Sequence, residues 1–106
     1  MSKLRWTQRA RRDLLAIARY LAADDPAAAL RCAALLRKRA RVAALLPRSG
    51  RRVPELSPEH SPEHSKGPLR EVVVKNYRLI YRAEAGGITV LTVFETHHSF
   101  PRDLPE

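Results

Sequence analysis

Apolar side chains divide the chain into two regimes. Between Ala10 and Leu46 they recur every three or four residues, and between Leu69 and Thr96 they alternate or run together. The first spacing belongs to amphipathic helices and the second to strands. Lys3 to Trp6 predicts a short opening strand with Leu4 and Trp6 on one face. Thr7 follows as an N-cap whose hydroxyl accepts from a free amide of the next turn. Ala10, Leu14, Ile17, Ala18 and Leu21 then form one stripe, with Arg9, Arg12 and Arg19 on the other side. Asp25-Pro26 restarts a helix, because proline's missing amide costs nothing at the first helical position. That helix is predicted to run to about Leu46 and to be closed by Pro47, with Ala29, Cys32, Ala33, Leu36, Ala40 and Ala43 inward. Arg31, Lys38 and Arg41 fall outside. Small residues on the inner stripe let two antiparallel helices approach closely.

The second regime centres on Arg70 to Arg82, REVVVKNYRLIYR. Val72, Val73 and Val74 form a β-branched run, Lys75-Asn76 a tight turn, and Tyr77, Leu79 and Tyr81 alternate with Arg78, Ile80 and Arg82. The tyrosines are expected to face the helices, leaving Arg78 and Arg82 on the opposite face. Ala83 to Gly87 is a turn, and Ile88 to Thr96 a third strand of this meander. The predicted architecture is α+β: an N-terminal strand, then an antiparallel helical hairpin packed on a mostly antiparallel sheet, in the order β-α-α-β-β-β.

Between the regimes, Pro47 to Leu56 reads as a loop with a turn at Ser49-Gly50. A tandem duplication follows, Ser57-Pro58-Glu59-His60 and Ser61-Pro62-Glu63-His64, within a solvated loop insertion over residues 57–68. His60 and His64 are four apart, but Pro62 between them opposes the helix that would aim both at one metal ion. No metal or cofactor is expected. Residues 1–106 are read as one domain.

Twenty basic residues against eleven acidic ones give a net charge of +9, which implies a polyanionic partner. Cys32 is the single cysteine, so no internal disulfide or cysteine-built zinc site is available. Its alanine and leucine neighbours suit a small buried side chain. No apolar run approaches the roughly 20 residues a membrane span needs, and no secretory signal opens the chain, so a cytoplasmic protein without a membrane partner is expected.

Several pieces, in this order, resemble the RelE/ParE family of small bacterial toxins. They are Trp6-Thr7, Ala10…Asp13-Leu14…Ile17…Tyr20-Leu21, Asp25-Pro26-Ala27-Ala28, Gly50-Arg51…Val53-Pro54-Glu55-Leu56, Arg70-Glu71 and Tyr77-Arg78-Leu79-Ile80-Tyr81-Arg82. The resemblance spans nearly the whole chain. It implies a toxin encoded beside a cognate antitoxin that wraps it. One branch cleaves mRNA on the ribosome; the other poisons DNA gyrase and is not known as a nuclease. The Val-Pro-Glu-Leu, Arg-Glu and Tyr-Arg-Leu-Ile-Tyr-Arg pieces look more like the gyrase-directed, ParE-like branch.

Metal-free RNA cleavage needs a base, an acid and cations around the phosphate. On the nuclease alternative, Arg78 resembles the phosphate-binding arginine of mRNA-cleaving relatives, with Lys75 adding to its field. His98, or His97, resembles a tail histidine with a pKa suited to proton transfer. Phe100 is then placed to stack on a base. On the ParE-like reading the same surface binds without chemistry, and Arg70, Lys75, Arg78, Arg82 and His97 are the candidate contacts for antitoxin or target. Phe100 then covers the end of the sheet. No Ser/His/Asp or Cys/His nucleophile set and no Gly-rich phosphate loop is present.

Overall fold

The computed structural model describes residues 2–56 and 69–104; the duplicated loop with His60 and His64 lies outside them. The elements are β1 (Lys3–Trp6), α1 (Gln8–Ala22), α2 (Pro26–Leu45), β2 (Arg51–Arg52), a 3-10 turn (Pro54–Leu56), β3 (Leu69–Val74), β4 (Tyr77–Glu84) and β5 (Gly87–Glu95). Both helix starts follow the local chemistry. The Thr7 hydroxyl accepts from the Ala10 amide at 3.0 Å, and the Asp25 carboxylate accepts from the Ala28 amide at 3.1 Å. Each such cap is worth about 1 kcal/mol.

The strands form one sheet in the order β1-β5-β4-β3-β2. β1 runs parallel to β5 and every other pair is antiparallel. Gly87 permits the parallel pairing, because a Cβ there would lie 1.9 Å from the Lys3 carbonyl oxygen. The helical hairpin carries the chain from β1 at one edge to β2 at the other. The β3–β4 connection is the two-residue turn Lys75-Asn76, with Lys75 at a φ of 54°. A bulge opposite Ile80 and Tyr81 makes Leu91 an extra residue in β5.

One core lies between the helices and the sheet. Ala10, Leu14, Cys32, Ala33, Leu36, Ala40 and Ala43 meet Val72, Val74, Leu79, Tyr81, Ile88, Val90 and Val93. Burying a side chain such as Leu36, which has no exposure, contributes about 1.5–3 kcal/mol. Cys32 is buried as its neighbours suggest, and burial pushes its thiol pKa up against the lowering effect of Lys75. Tyr81 belongs to this core and Tyr77 packs against it.

Two details depart from the sequence expectation. The segment Pro47 to Leu56 is not only loop: Arg51 and Arg52 pair with Glu71 and Arg70, and a 3-10 turn follows. The β4–β5 connection is also tighter than Ala83–Gly87, since β4 reaches Glu84 and β5 begins at Gly87.

Candidate functional site

The opposite sheet face is organised by Arg78. Strand alternation turns it away from Leu79 and Tyr81, yet it is only 7% exposed. Its Nε and Nη2 donate to Glu71 Oε1 at 2.9 and 2.5 Å. Its Nη1 and Nη2 donate to the two oxygens of Glu55, both at 2.7 Å. Glu71 is fully buried, and its second oxygen accepts from Arg51. The cluster therefore holds two guanidinium groups and two carboxylates and is neutral as a whole. Hydrogen bonding to Glu55 leads the effects that raise the Arg78 pKa, against the lowering effect of burial. The same bond to Arg78 leads those that hold the Glu55 carboxyl below its usual range.

Aromatic rings complete the enclosure. The Arg78 guanidinium carbon lies 5.2 Å from the Phe94 ring centre and 5.5 Å from that of Phe100. The two rings meet edge to face at 5.9 Å. Such cation–π contacts strengthen as the cation loses water. Phe100 belongs to the segment after β5, which is also tied to α1 by Arg9 Nη1 and Asp103 Oδ1 at 2.8 Å. Strand β4, the 3-10 turn and the C-terminal segment thus converge on one side chain.

This arrangement corrects the picture of two arginines projecting together from the meander. Arg82 is half-buried, whereas Arg78 is enclosed and its charge is matched by two internal carboxylates. An entering phosphate would first have to displace Glu55. Lys75 is exposed at its turn. His97 and His98 are exposed beyond β5, and His98 Nε2 lies 3.8 Å from Glu95. Among the described residues no hydrogen bond or ion pair joins Lys75, His97 or His98 to Arg78. Arg70 lies on the helix side, half-buried, donating through Nη1 to the Gly50 carbonyl at 2.8 Å. Phe100 is half-buried against Phe94 and Arg78 rather than presented to solvent. No group of three or more His, Cys, Asp or Glu is placed to hold a metal ion among the described residues.

Arg51, Glu55, Glu71 and Phe94 are the site residues that sequence reasoning missed. A signal existed for Glu71. The two-residue turn sets Val73 opposite Arg78 and Glu71 opposite Ile80, so Glu71 and Arg78 are diagonal neighbours on one face. For Glu55 the strand register offers nothing, because it arrives on a separate 3-10 turn.

A family model described as "ParE toxin of type II toxin-antitoxin system, parDE" matches residues 4–100. Among solved structures, a chain from "Chromosomal ParDE TA system from P. aeruginosa" is similar, with a TM-score of 0.68 and 20% identity. The alignment covers 92% of this chain and 98% of that one, and at such identity the likeness is one of fold. No curated protein sequence matches. With 97 of its 106 residues inside the family model, the helical hairpin, the meander and the segment through Phe100 included, the chain belongs to the ParE toxin family of type II toxin–antitoxin systems.

Proposed function

We propose that this toxin inhibits DNA gyrase by binding it, without chemistry on nucleic acid, and that a cognate antitoxin neutralises it in the cytoplasm. The observation that carries this reading is the closure of Arg78. A nuclease of this fold needs a free cation at the scissile phosphate, and here that cation holds four hydrogen bonds to internal carboxylates. Lys75, Arg82 and His97 remain at least partly exposed and are the proposed partner contacts, while Arg78 positions the 3-10 turn and the C-terminal segment. Arg70 is turned to the helix side instead, where its Nη1 donates to the Gly50 carbonyl.

The test uses purified gyrase, relaxed and supercoiled plasmid, and the full-length toxin. The expected result is loss of supercoiling with trapped, cleaved DNA, reversed by the antitoxin, while a ribosome-bound mRNA keeps its 5′ ends intact. Cleavage of that mRNA with no effect on gyrase would overturn the reading and restore the nuclease alternative, with Arg78, His98 and Lys75 in the catalytic roles.

A further inference from the structure

We infer that the helical hairpin carries a second interaction surface, a cationic band that binds the phosphate backbone of duplex DNA without reading its sequence. The band crosses both helices at the end far from their connecting turn. Arg11 of α1 and Arg37 of α2 line the same shallow groove, together with Trp6, Leu14, Leu15, Ala18 and Ala33. Arg12 lies beside Arg11, and Lys38 and Arg41 extend the band along α2; all five cations are exposed. Arg37 and Arg41 are one helical turn apart, about 6 Å along the axis, so they share a side of α2.

Three observations select the partner. First, the band has no internal counter-charge. None of its five cations joins an ion pair among the described residues. Of the hairpin's acidic residues, Asp13 bonds to Thr92 and Val93, while Asp24 and Asp25 sit at the opposite end. Second, α2 contains no Asn, Gln, Ser or Thr, so every hydrogen-bonding side chain on it except Cys32 is Arg or Lys. Base recognition draws on bidentate amides and hydroxyls as well as arginine, whereas phosphate contacts need only positive donors. Third, α2 has no aromatic residue, and Trp6 is packed against the core, so the band offers no stacking platform for single strands.

An acidic amphipathic helix is the competing occupant. The apolar floor between Arg11 and Arg37 is a short open groove of about 320 Å³ made by Leu14, Leu15, Ala18 and Ala33, whereas the cations continue a full turn beyond it. Charge spread wider than the apolar floor fits a phosphate track better than a helix whose apolar face must be covered. The inference stands whether or not gyrase is the target.

The test is fluorescence anisotropy of labelled 20-base-pair duplexes of two unrelated sequences, titrated with the full-length toxin between 50 and 200 mM potassium chloride. Five phosphate contacts predict that log K falls with log salt at a slope of about −4 to −5, with the two sequences equal within about twofold. Arg37→Gln with Arg41→Gln should make the slope shallower by about two and weaken binding at least about tenfold at 100 mM salt. Circular dichroism melting should be unchanged. Arg19→Gln with Arg31→Gln removes the same charge near the hairpin turn and should leave the slope within about half a unit. Equal effects from both pairs would overturn the inference, reducing it to net charge. Tighter binding of single-stranded RNA of the same length would overturn it too. So would a glutamate-rich helical peptide that outcompetes the duplex and loses affinity in the same variants.

Discussion

Removing the Arg78 guanidinium would leave Oε1 of the fully buried Glu71 without a donor, with only Arg51 still holding the other oxygen. Losing one partner of a buried pair costs about 3–5 kcal/mol, far more than the pair itself contributes over an apolar replacement. Arg78→Met should therefore lower urea-derived stability by about that amount, and Arg78→Met with Glu71→Leu should recover at least half of it. A double variant no more stable than the single one would mean that Arg78 matters chiefly through Phe94 and Phe100. Glu55 supplies the pH dependence. Its folded pKa is depressed, chiefly by its bond to Arg78, so its contribution is complete above the unfolded value of about 4.3 and is lost as pH falls through the folded value. Glu55→Gln should therefore lower stability at neutral pH, where the charged form contributes in full, and flatten the acid side of the profile, so that the two proteins converge as pH falls below about 4. Equilibrium unfolding at a series of pH values checks both the sign and the window.

At the scale of elements, the joints between layers depend on single polar side chains. Asp13 on α1 accepts from the Thr92 hydroxyl at 2.5 Å and from the Val93 amide at 3.0 Å, beside the β5 bulge. Asp13→Ala leaves that amide without its acceptor and should cost about 1–3 kcal/mol; Asp13→Asn, which keeps an acceptor, should cost less. Gly50 is the second joint. The Tyr81 hydroxyl donates to the Pro47 carbonyl at 2.8 Å and accepts from the Gly50 amide at 2.9 Å. A Cβ on Gly50 would lie 2.4 Å from that hydroxyl oxygen. Gly50→Ala should therefore destabilise the protein by about 1–3 kcal/mol, seen as a lowered thermal midpoint with loss of the local tyrosine signal. These joints mark the limit of what the sequence discloses. Periodicity alone located β1, both helices, the turn at Lys75-Asn76 and the inward tyrosines, because each is a local pattern with its own caps. The β2 strand escaped because two arginines show no alternation. The Arg78 cluster escaped because it is assembled from Glu55, Glu71, Phe94 and Phe100 on four separate segments. Spacing revealed which face Arg78 occupies but not what covers it.

Over the whole molecule, the distribution of charge matters more than its sum. The net +9 does not come from the sheet cluster, where Arg51 and Arg78 are balanced by Glu55 and Glu71. It comes largely from the exposed helical layer and the edges, where few carboxylates intervene. Such a one-sided field steers association from a distance but holds a docked complex only weakly, since exposed pairs are screened by salt beyond about 8–10 Å. The proposed antitoxin complex should therefore show its salt dependence in formation rather than in dissociation. Between 50 and 500 mM salt the association rate constant should fall about tenfold or more, while the dissociation rate constant changes less than about threefold. Stopped-flow mixing of toxin and antitoxin, followed by displacement with unlabelled toxin, separates the two. A dissociation rate that rises with salt as steeply as association falls would place the cations inside the closed interface, paired with antitoxin carboxylates. An association rate indifferent to salt would remove the field from recognition altogether and leave apolar contact to select the partner.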